Sequence, residues 1–522
     1  MQVMFLGHAG FVTESEGAVI VADPWMSERG AFDSAWSQLP RNHALAPLVR
    51  QKLEQPGTER FLYVSHEHGD HLDREFLSSI GRRDFTVVIP RFVRGAMREF
   101  FRSYRCKEVI ECDDGQAVAV PGGRLKLYVS DSVINRDSAL LVRSGNHAFL
   151  DLNDCKIHDR LHAIAAEDGP IDVFTAQYSG AVWHPTCYDY DAATYAALSR
   201  RKMFGKFEAV ARGIEALRPR AFLTSAGPPC FLDPALLHLN FQQVNIFPRP
   251  PKFFAFLERR LGEARPRLIA PNPGDVLDVA ACELIHRSPE RVTDEGFAAY
   301  VQAYAREMSP VFSARRLHAE AIRPAEVLAG LAEELARKLA AFPLRQRVSF
   351  PLYAALDEAP RALLVDFASS RVEVAHEIPA ERRYVLRAGA FDLGRVLDRT
   401  LTWEEFLLSF RLRLSRAPDR YDPLLHAYLA LEAEDLPGFC VKVLAAEGRQ
   451  ERIEVTARGQ RYSVVRHCPH QGGDLAYGWV ERSCLVCPRH RWRFDLEGGG
   501  RCISNDSSID ARPVDARDAS RA

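Results

Sequence analysis

At 522 residues the chain exceeds what one hydrophobic core organises, so two or three domains are expected. With 47% hydrophobic and 26% charged residues it has a soluble, globular composition, and a formal net charge of −1 supplies no global field to select nucleic acid or an anionic membrane. The apolar runs fall short of the roughly 20 residues that span a bilayer. Met1 to Leu6 lacks the charged-then-apolar layout of a secretory signal, and eleven cysteines without framework spacing read as reduced thiols plus a few metal ligands. The expectation is a cytoplasmic protein acting on a small molecule, with no nucleic-acid or membrane partner and with homo-oligomerisation left open.

Met1 to Leu6 and Ala18 to Ala22 read as strands, joined through Gly7-His8-Ala9-Gly10-Phe11 and leading to Asp23-Pro24-Trp25. His8 reads first as a structural turn residue and second as a ligand, and Asp23 as a hydrogen-bond anchor for a ligand loop. The next strand, Phe61 to Val64, ends in Ser65-His66-Glu67-His68-Gly69-Asp70-His71-Leu72, which places four potential metal ligands within six residues. His66 and His68, two apart, can aim both imidazoles at one metal, while Asp70 and His71 face a second beside it. A polar turn that merely caps a helix has no need of such a concentration.

This His-x-His-x-Asp-His loop resembles the signature of the metallo-β-lactamase superfamily. The resemblance implies an αββα sandwich with its metals at the edge of two sheets. Alternating helical and strand-like pieces from Arg74 to Val142 fit such a sandwich. Farther on, Phe149 to Leu152 reads as a strand followed by a polar turn, and Asp154 occupies the position of the superfamily's metal-bridging carboxylate. Asp151 is the alternative, and helix capping near Ile157 is the competing role. The resemblance also calls for a third histidine before this strand and a final one near Thr224-Ser225-Ala226-Gly227, and both are missing. His184 and Asp233 are the substitutes considered.

Between Asp275 and Glu432 no metal motif occurs. Pro324 to Ala341 and Trp403 to Leu414 have helical apolar spacing, Arg361 to Phe367 and Arg383 to Leu386 read as strands, and Arg411, Arg413 and Arg416 read as a solvated helix face. The stretch is expected to be an α+β extension that shapes a pocket or interface. Asp23-Pro24-Trp25-Met26, the His66 to Leu72 loop, Asn153-Asp154-Cys155, Pro273-Gly274 with Leu277-Asp278, and Trp403-Glu404-Glu405-Phe406 running on to Asp419-Arg420-Tyr421 together resemble the CMP-N-acetylneuraminate hydroxylase family. That resemblance implies oxidation by molecular oxygen with a Rieske cluster and iron, although the family's Rieske domain precedes its metal-binding domain.

A polar linker, Glu432 to Gly438, leads to Cys468-Pro469-His470 and, after sixteen intervening residues, Cys487-Pro488-Arg489-His490. This is the Cys-x-His…Cys-x-x-His spacing of a Rieske centre, in which two thiolates hold one iron of a 2Fe-2S cluster and two imidazoles the other. A zinc ribbon built on Cys484 and Cys487 would leave Cys468-x-His470 too tight for the usual knuckle. The stretch His490 to Asp495 resembles oxygenase and ferredoxin types, and Arg489, Arg491 and Arg493 read as a solvated basic fringe.

The expected domains are residues 1–275 (metallo-β-lactamase-like), 276–432 (α+β extension) and 433–522 (all-β Rieske). Zinc has no redox chemistry, whereas iron gives electrons from the cluster a destination. The sequence therefore points to an iron-dependent monooxygenase. A ferredoxin or NAD(P)H-dependent reductase reduces the cluster at Cys468, His470, Cys487 and His490. One or two non-haem irons at His66, His68, Asp70, His71 and Asp154, with His184 a further candidate, use O2 on a small molecule. Carbon hydroxylation is the first choice and nitrogen oxidation the second. A zinc hydrolase with a regulatory redox domain, or an electron-transfer or sensor protein, is the alternative.

Overall fold

The computed structural model describes residues 1–289 and 291–514; residues 515–522 of the expected Rieske region lie outside them. Its amino-terminal half is built on two facing mixed sheets. In the first, Ala18–Ala22, Glu59–Tyr63, Thr86–Pro90 and Glu108–Cys112 run parallel. Antiparallel partners Gln2–Gly7 and Gly10–Ser15 extend it on one side. The second places His147–Asp151, Val173–Gln177 and Ala221–Ser225 in parallel register, with Arg136–Ser144 antiparallel alongside.

Strand alternation decides the layering. Phe61 and Tyr63 point between the sheets and pack with Val88, Leu140, Val142, Phe149 and Leu223. Leu62 and Val64 point the other way, onto the helices Ala46–Glu54 and Ala96–Tyr104. Phe174 and Phe222 on the far side of the second sheet meet the helices Ala192–Leu217 and Pro250–Leu261. The result is the expected αββα sandwich. It continues past the expected boundary at residue 275, because Val276–Asp278 pairs antiparallel with Gln2–Gly7 and carries Glu283–His286 on its outer edge.

The extension is a five-stranded sheet covered by the helices Pro324–Ala340, Ala390–Leu397, Trp403–Leu408 and Pro423–Ala430. Its core is continuous with Trp25, Phe32, Trp36 and Phe231 at the sandwich's edge, so it is anchored where the His-rich loop emerges. Two sequence expectations fail here. The helix expected to run to Leu414 stops at Leu408, Phe410 takes a left-handed backbone (φ 58°), and Leu412–Ala417 is a strand. Consequently the arginines do not form a solvated helix face: Arg411 is half-buried and its Nε donates to Asp233 at 2.8 Å. Nor is Glu432 to Gly438 a free linker, because Glu432 accepts from the backbone of Trp403 at 2.9 Å and a helix begins at Leu436.

The carboxyl-terminal region is all-β after that helix, with a three-stranded and a four-stranded sheet around Val464, Leu485, Phe494 and Ile509. Among the described residues no helix is long and apolar enough to cross a membrane.

Candidate metal centre and cluster site

The sandwich gathers its candidate ligands at one edge because parallel strands deliver the following loops to the same end. Glu59–Tyr63 supplies the His-rich loop, His147–Asp151 supplies Asp154, and Arg136–Ser144 starts at that edge with Asp137. A pair of ties locks the sheets together there. The Tyr63 hydroxyl reaches the Ser138 carbonyl at 2.8 Å, and Ser138 Oγ donates to the Ser65 carbonyl at 3.0 Å.

Two ligand groups result. One comprises His8, Asp70 and His71; the other His66, His71 and Asp154; within each the ligand atoms lie within 4.8 Å of one another. His66 Nε2 and His68 Nδ1 are 2.9 Å apart, a spacing two ligands of one ion adopt. Behind these, Asp23 plays the anchoring part read from the sequence. Its Oδ2 faces His71 Nδ1 at 2.7 Å and accepts from Ser65 Oγ at 2.6 Å, while Oδ1 takes the Ser65 N–H at 2.8 Å. His71 is thereby turned with Nε2 toward the cluster of ligands, where that atom and Asp70 Oδ1 are buried without a hydrogen-bond partner. Orphaned ligand atoms beside a carboxylate-oriented imidazole are what a bound divalent cation completes.

The electrostatics agree. Burial disfavours charge on His71, but Asp23 and Asp70 outweigh it and push its pKa up to about 10. Burial likewise opposes His68, and Glu404 outweighs it, to about 9. The site is a set of carboxylates that needs positive charge, which the protons on two histidines supply when no ion does. Donors of this type, nitrogen plus carboxylate oxygen, fit iron, manganese or zinc.

Several residues were not found from sequence alone. Asp137 stands where a third histidine is expected, its Oδ1 3.4 Å from His66 Nδ1. Glu404, from the extension, reaches His68 Nε2 at 3.5 Å and shares Arg136 with Glu67. His8, read first as structural and second as a ligand, stands in a ligand group; its place in the Gly7-His8-Ala9-Gly10 turn between two strands was the available signal. Asp154 caps no helix, and Gln177 donates to its Oδ1. Asp151 accepts from the Asn153 N–H, and burial raises its pKa well above the carboxylate range. The two substitutes are corrected. His184 packs on Tyr188 and Tyr190, with Nε2 3.1 Å from the Tyr190 hydroxyl, outside both ligand groups. Asp233 is taken by Arg411. Ser225 accepts from the Thr175 hydroxyl.

At the other end, the loops after Gln460–Val465 and Cys484–Val486 bring Cys468, His470, Cys487 and His490 together. The imidazoles lie 4.7 Å apart, and the two thiols touch. Each sulfur also receives backbone N–H groups, His470 to Cys468 and both Arg489 and His490 to Cys487. His470 Nδ1 and His490 Nε2 are buried without partners. Burial, then His426 and Lys156, hold His470 neutral with a pKa of about 3. Two sulfurs supplied with N–H donors and two neutral imidazoles fit a 2Fe-2S cluster.

This end docks on the sandwich through the segment that carries Asp154. Asp159 is buried, its carboxylate receives Arg489 Nε at 2.9 Å from one cluster loop, and Oδ2 takes the Asp474 N–H at 2.9 Å beside the other. Tyr477 stacks on His162 at 5.5 Å, and Tyr421 of the extension stands 6.4 Å from His470 and 5.3 Å from His426. Lys156 acts on both sites, depressing His470 and His490 on one side and lowering the Asp154 pKa on the other. The expected solvated fringe is therefore turned inward: Arg489 is clamped to Asp159 and Arg491 lies against Gly205.

Residues 426–511 match the Rieske 2Fe-2S domain family, so the chain carries that domain at its carboxyl end. A Rieske 2Fe-2S iron-sulfur protein of Mycobacterium tuberculosis H37Rv is 29% identical over 97% of this chain and 98% of its own length. Aminopyrrolnitrin oxygenase of Pseudomonas fluorescens is 43% identical over 47 residues, 9% of this chain and 12% of its own. Among solved structures, CmlA, a diiron β-hydroxylase from Streptomyces venezuelae, aligns over 53% of each chain with 16% identity and a TM-score of 0.35.

Proposed function

We propose that the chain is an oxygenase in which the Rieske domain feeds electrons to iron held at the edge of its own sandwich. The observation that carries this reading is the docking of both cluster loops on Asp159, five positions after Asp154. A redox carrier seated on a hydrolytic zinc centre would have nothing to reduce. The local likeness to a named oxygenase of the Rieske type accords with the reading.

His66, His68, Asp70, His71 and Asp154 would hold one or two irons, with His8 and Asp137 completing the sets that lack histidines. Cys468, Cys487, His470 and His490 would hold the cluster. Bound there, the cluster supplies single electrons and the iron supplies O2 activation. The chain's own residues do the rest. Asp23 fixes the ring of His71 through Nδ1, and Asp159 fixes the cluster loops relative to Asp154. Glu404 sits at His68 as a carboxylate held down to about 2, burial opposing its charge and His68 with Arg136 outweighing it. The extension packs Phe410 against Trp36 of the sandwich, and its core is continuous there with Trp25 and Phe32. The reaction is assigned as hydroxylation at carbon, with oxidation at nitrogen second, and a ferredoxin or NAD(P)H-dependent reductase is the electron source.

Metal analysis of freshly isolated protein tests this. Three to four irons per chain are expected, about two of them in the cluster. Two irons confined to the cluster with zinc in the sandwich would overturn the reading.

A further inference from the structure

The three histidines of the His-rich loop are not equally held. Asp23 fixes His71 through Nδ1, and Ser65 and Asp137 flank His66, all of them from the sandwich itself. His68 is the more exposed ring, its side chain 21% accessible against 2% for His66 and none for His71. Besides His66, it is flanked by groups from outside that loop. One is Glu404 of the extension, and the other is Phe32, whose ring stands 6.0 Å from the imidazole with 73° between the planes.

Phe32 is carried by a turn that the backbone resists. Ala31 and Trp36 pair across it through two main-chain hydrogen bonds, of 2.9 and 3.2 Å. Between them Phe32, Asp33 and Ser34 are all left-handed, with φ of 54°, 55° and 65°. Residues with a Cβ enter that region singly and at a cost, so three in succession need support from elsewhere in the fold. Gly30 (φ 74°) makes room for the turn, because a Cβ there would collide with the Trp36 carbonyl oxygen. The turn also lies on the His-rich loop, since a Cβ at Gly69 would stand 3.7 Å from that of Ala31.

The support comes from the extension side, through Asp33. Arg315 Nε donates to its Oδ2 at 3.1 Å, Arg395 Nη2 to its Oδ1 at 3.3 Å, and Arg411 Nη1 to its main-chain carbonyl at 2.8 Å. These arginines come from the helix Phe297–Glu320, the helix Ala390–Leu397 and the segment just after Trp403–Leu408. Arg315 pairs further with Asp392 and Arg411 with Asp233, so three guanidinium groups and three carboxylates balance one another. Charge-assisted hydrogen bonds in so sheltered a place are strong. The helix that delivers Glu404 to His68 thus ends just before an arginine that grips the turn bearing Phe32.

We propose that residues 30–36 form a latched positioning turn for the metal centre: the three arginines hold Asp33, that latch holds the left-handed turn, and the turn holds Phe32 against the ring of His68. Phe32 and Asp33 are positioning residues, which act through His68. The fold beyond the sandwich thereby sets the stance of one ligand from two directions, Phe32 beside its ring and Glu404 at Nε2. The proposal requires a metal at the sandwich and does not rest on the oxygenase reading.

The test uses the full chain with its cluster loaded and oxidised, a form whose paired spins give no paramagnetic signal, and with cobalt(II) in the sandwich. The cobalt resonance reports ligand geometry, competition with a chelator gives affinity, and hydrogen exchange of the peptide covering residues 28–38 reports the turn. Asp33→Ala should speed that exchange at least about 10-fold, shift the cobalt spectrum and weaken cobalt binding about 10-fold. Phe32→Ala should change spectrum and affinity in the same way. Ser34→Gly, which removes the left-handed cost at one position, should restore most of the affinity in the Asp33→Ala background; a carboxylate needed only for its charge would not be replaced so. Phe247→Leu trims the same core on Phe410 without touching His68, and should lower the unfolding midpoint while the cobalt spectrum stays put. Cobalt that does not bind the unaltered chain, or binds Phe32→Ala and Asp33→Ala with unchanged spectrum and affinity, would overturn the proposal, as would an equal shift in Phe247→Leu. Failure of Ser34→Gly to rescue would overturn the latch. Zinc in freshly isolated protein would sink the oxygenase reading and leave these results in force.

Discussion

The molecule holds two histidine-bearing sites with opposite electrostatics. In the sandwich, Asp23, Asp70 and Glu404 raise His71 and His68 despite burial, while burial and then His71 and His68 hold His66 down. In the Rieske domain, burial, then His426 and Lys156, lower His470 to about 3, and burial, then His470 and Lys156, hold His490 well below the usual imidazole range. The same side chain is thus prepared for two tasks. An anionic cage draws in a free divalent cation, whereas neutral imidazoles suit a cluster whose thiolates already balance much of its charge.

The largest way to break this comparison is Cys487→Ser. It should abolish the cluster's visible absorbance and cut reductant-driven product formation by at least about 100-fold, while metal content in the sandwich stays unchanged. Turnover that survives would remove the cluster from the mechanism. Asp23→Asn attacks the other site, since it withdraws the charge behind His71; metal affinity should fall about 10- to 100-fold in a competition titration. The cluster's spectrum should not move, and a change there would mean that the two sites are not electrostatically separate. Asp159→Asn leaves both sites built and loosens their alignment. Electron delivery per turnover, followed in rapid mixing, should slow about 10-fold at full cluster occupancy. The smallest effect is expected from Thr402→Ala, which removes the capping box that starts the helix bearing Glu404. It should cost about 1 kcal/mol in denaturant unfolding with metal content retained.

Both sites were legible where their residues are contiguous. His66 to His71 packs four candidate ligands into one loop, and Cys468-x-His470 with Cys487-x-x-His490 fixes a spacing few other sites use. What a motif cannot carry is the partner that arrives from elsewhere in the chain. Asp137 meets His66 only because Arg136–Ser144 begins at the edge where Glu59–Tyr63 ends, and Glu404 meets His68 only because the extension packs on Trp36 and Phe32. A histidine beside a proline, His184, looked available but is held by tyrosines. Charge runs misled for a related reason. Arg411 and Arg489 read as solvated because their carboxylates, Asp233 and Asp159, lie 178 and 330 positions away in sequence. Apolar spacing over Trp403 to Leu414 suited a helix, yet one left-handed residue, Phe410, divides it into a helix and a strand.

The central claim is that electrons pass from the cluster to the sandwich within one chain. It is tested most directly by reducing the iron-loaded protein without oxygen, mixing it rapidly with O2 and following reoxidation of the cluster. The expected result is a first-order rate that does not change on dilution and falls at least about 10-fold in His66→Ala, whose cluster is intact. An equal rate in that variant, or a rate that drops in proportion to protein concentration, would contradict it.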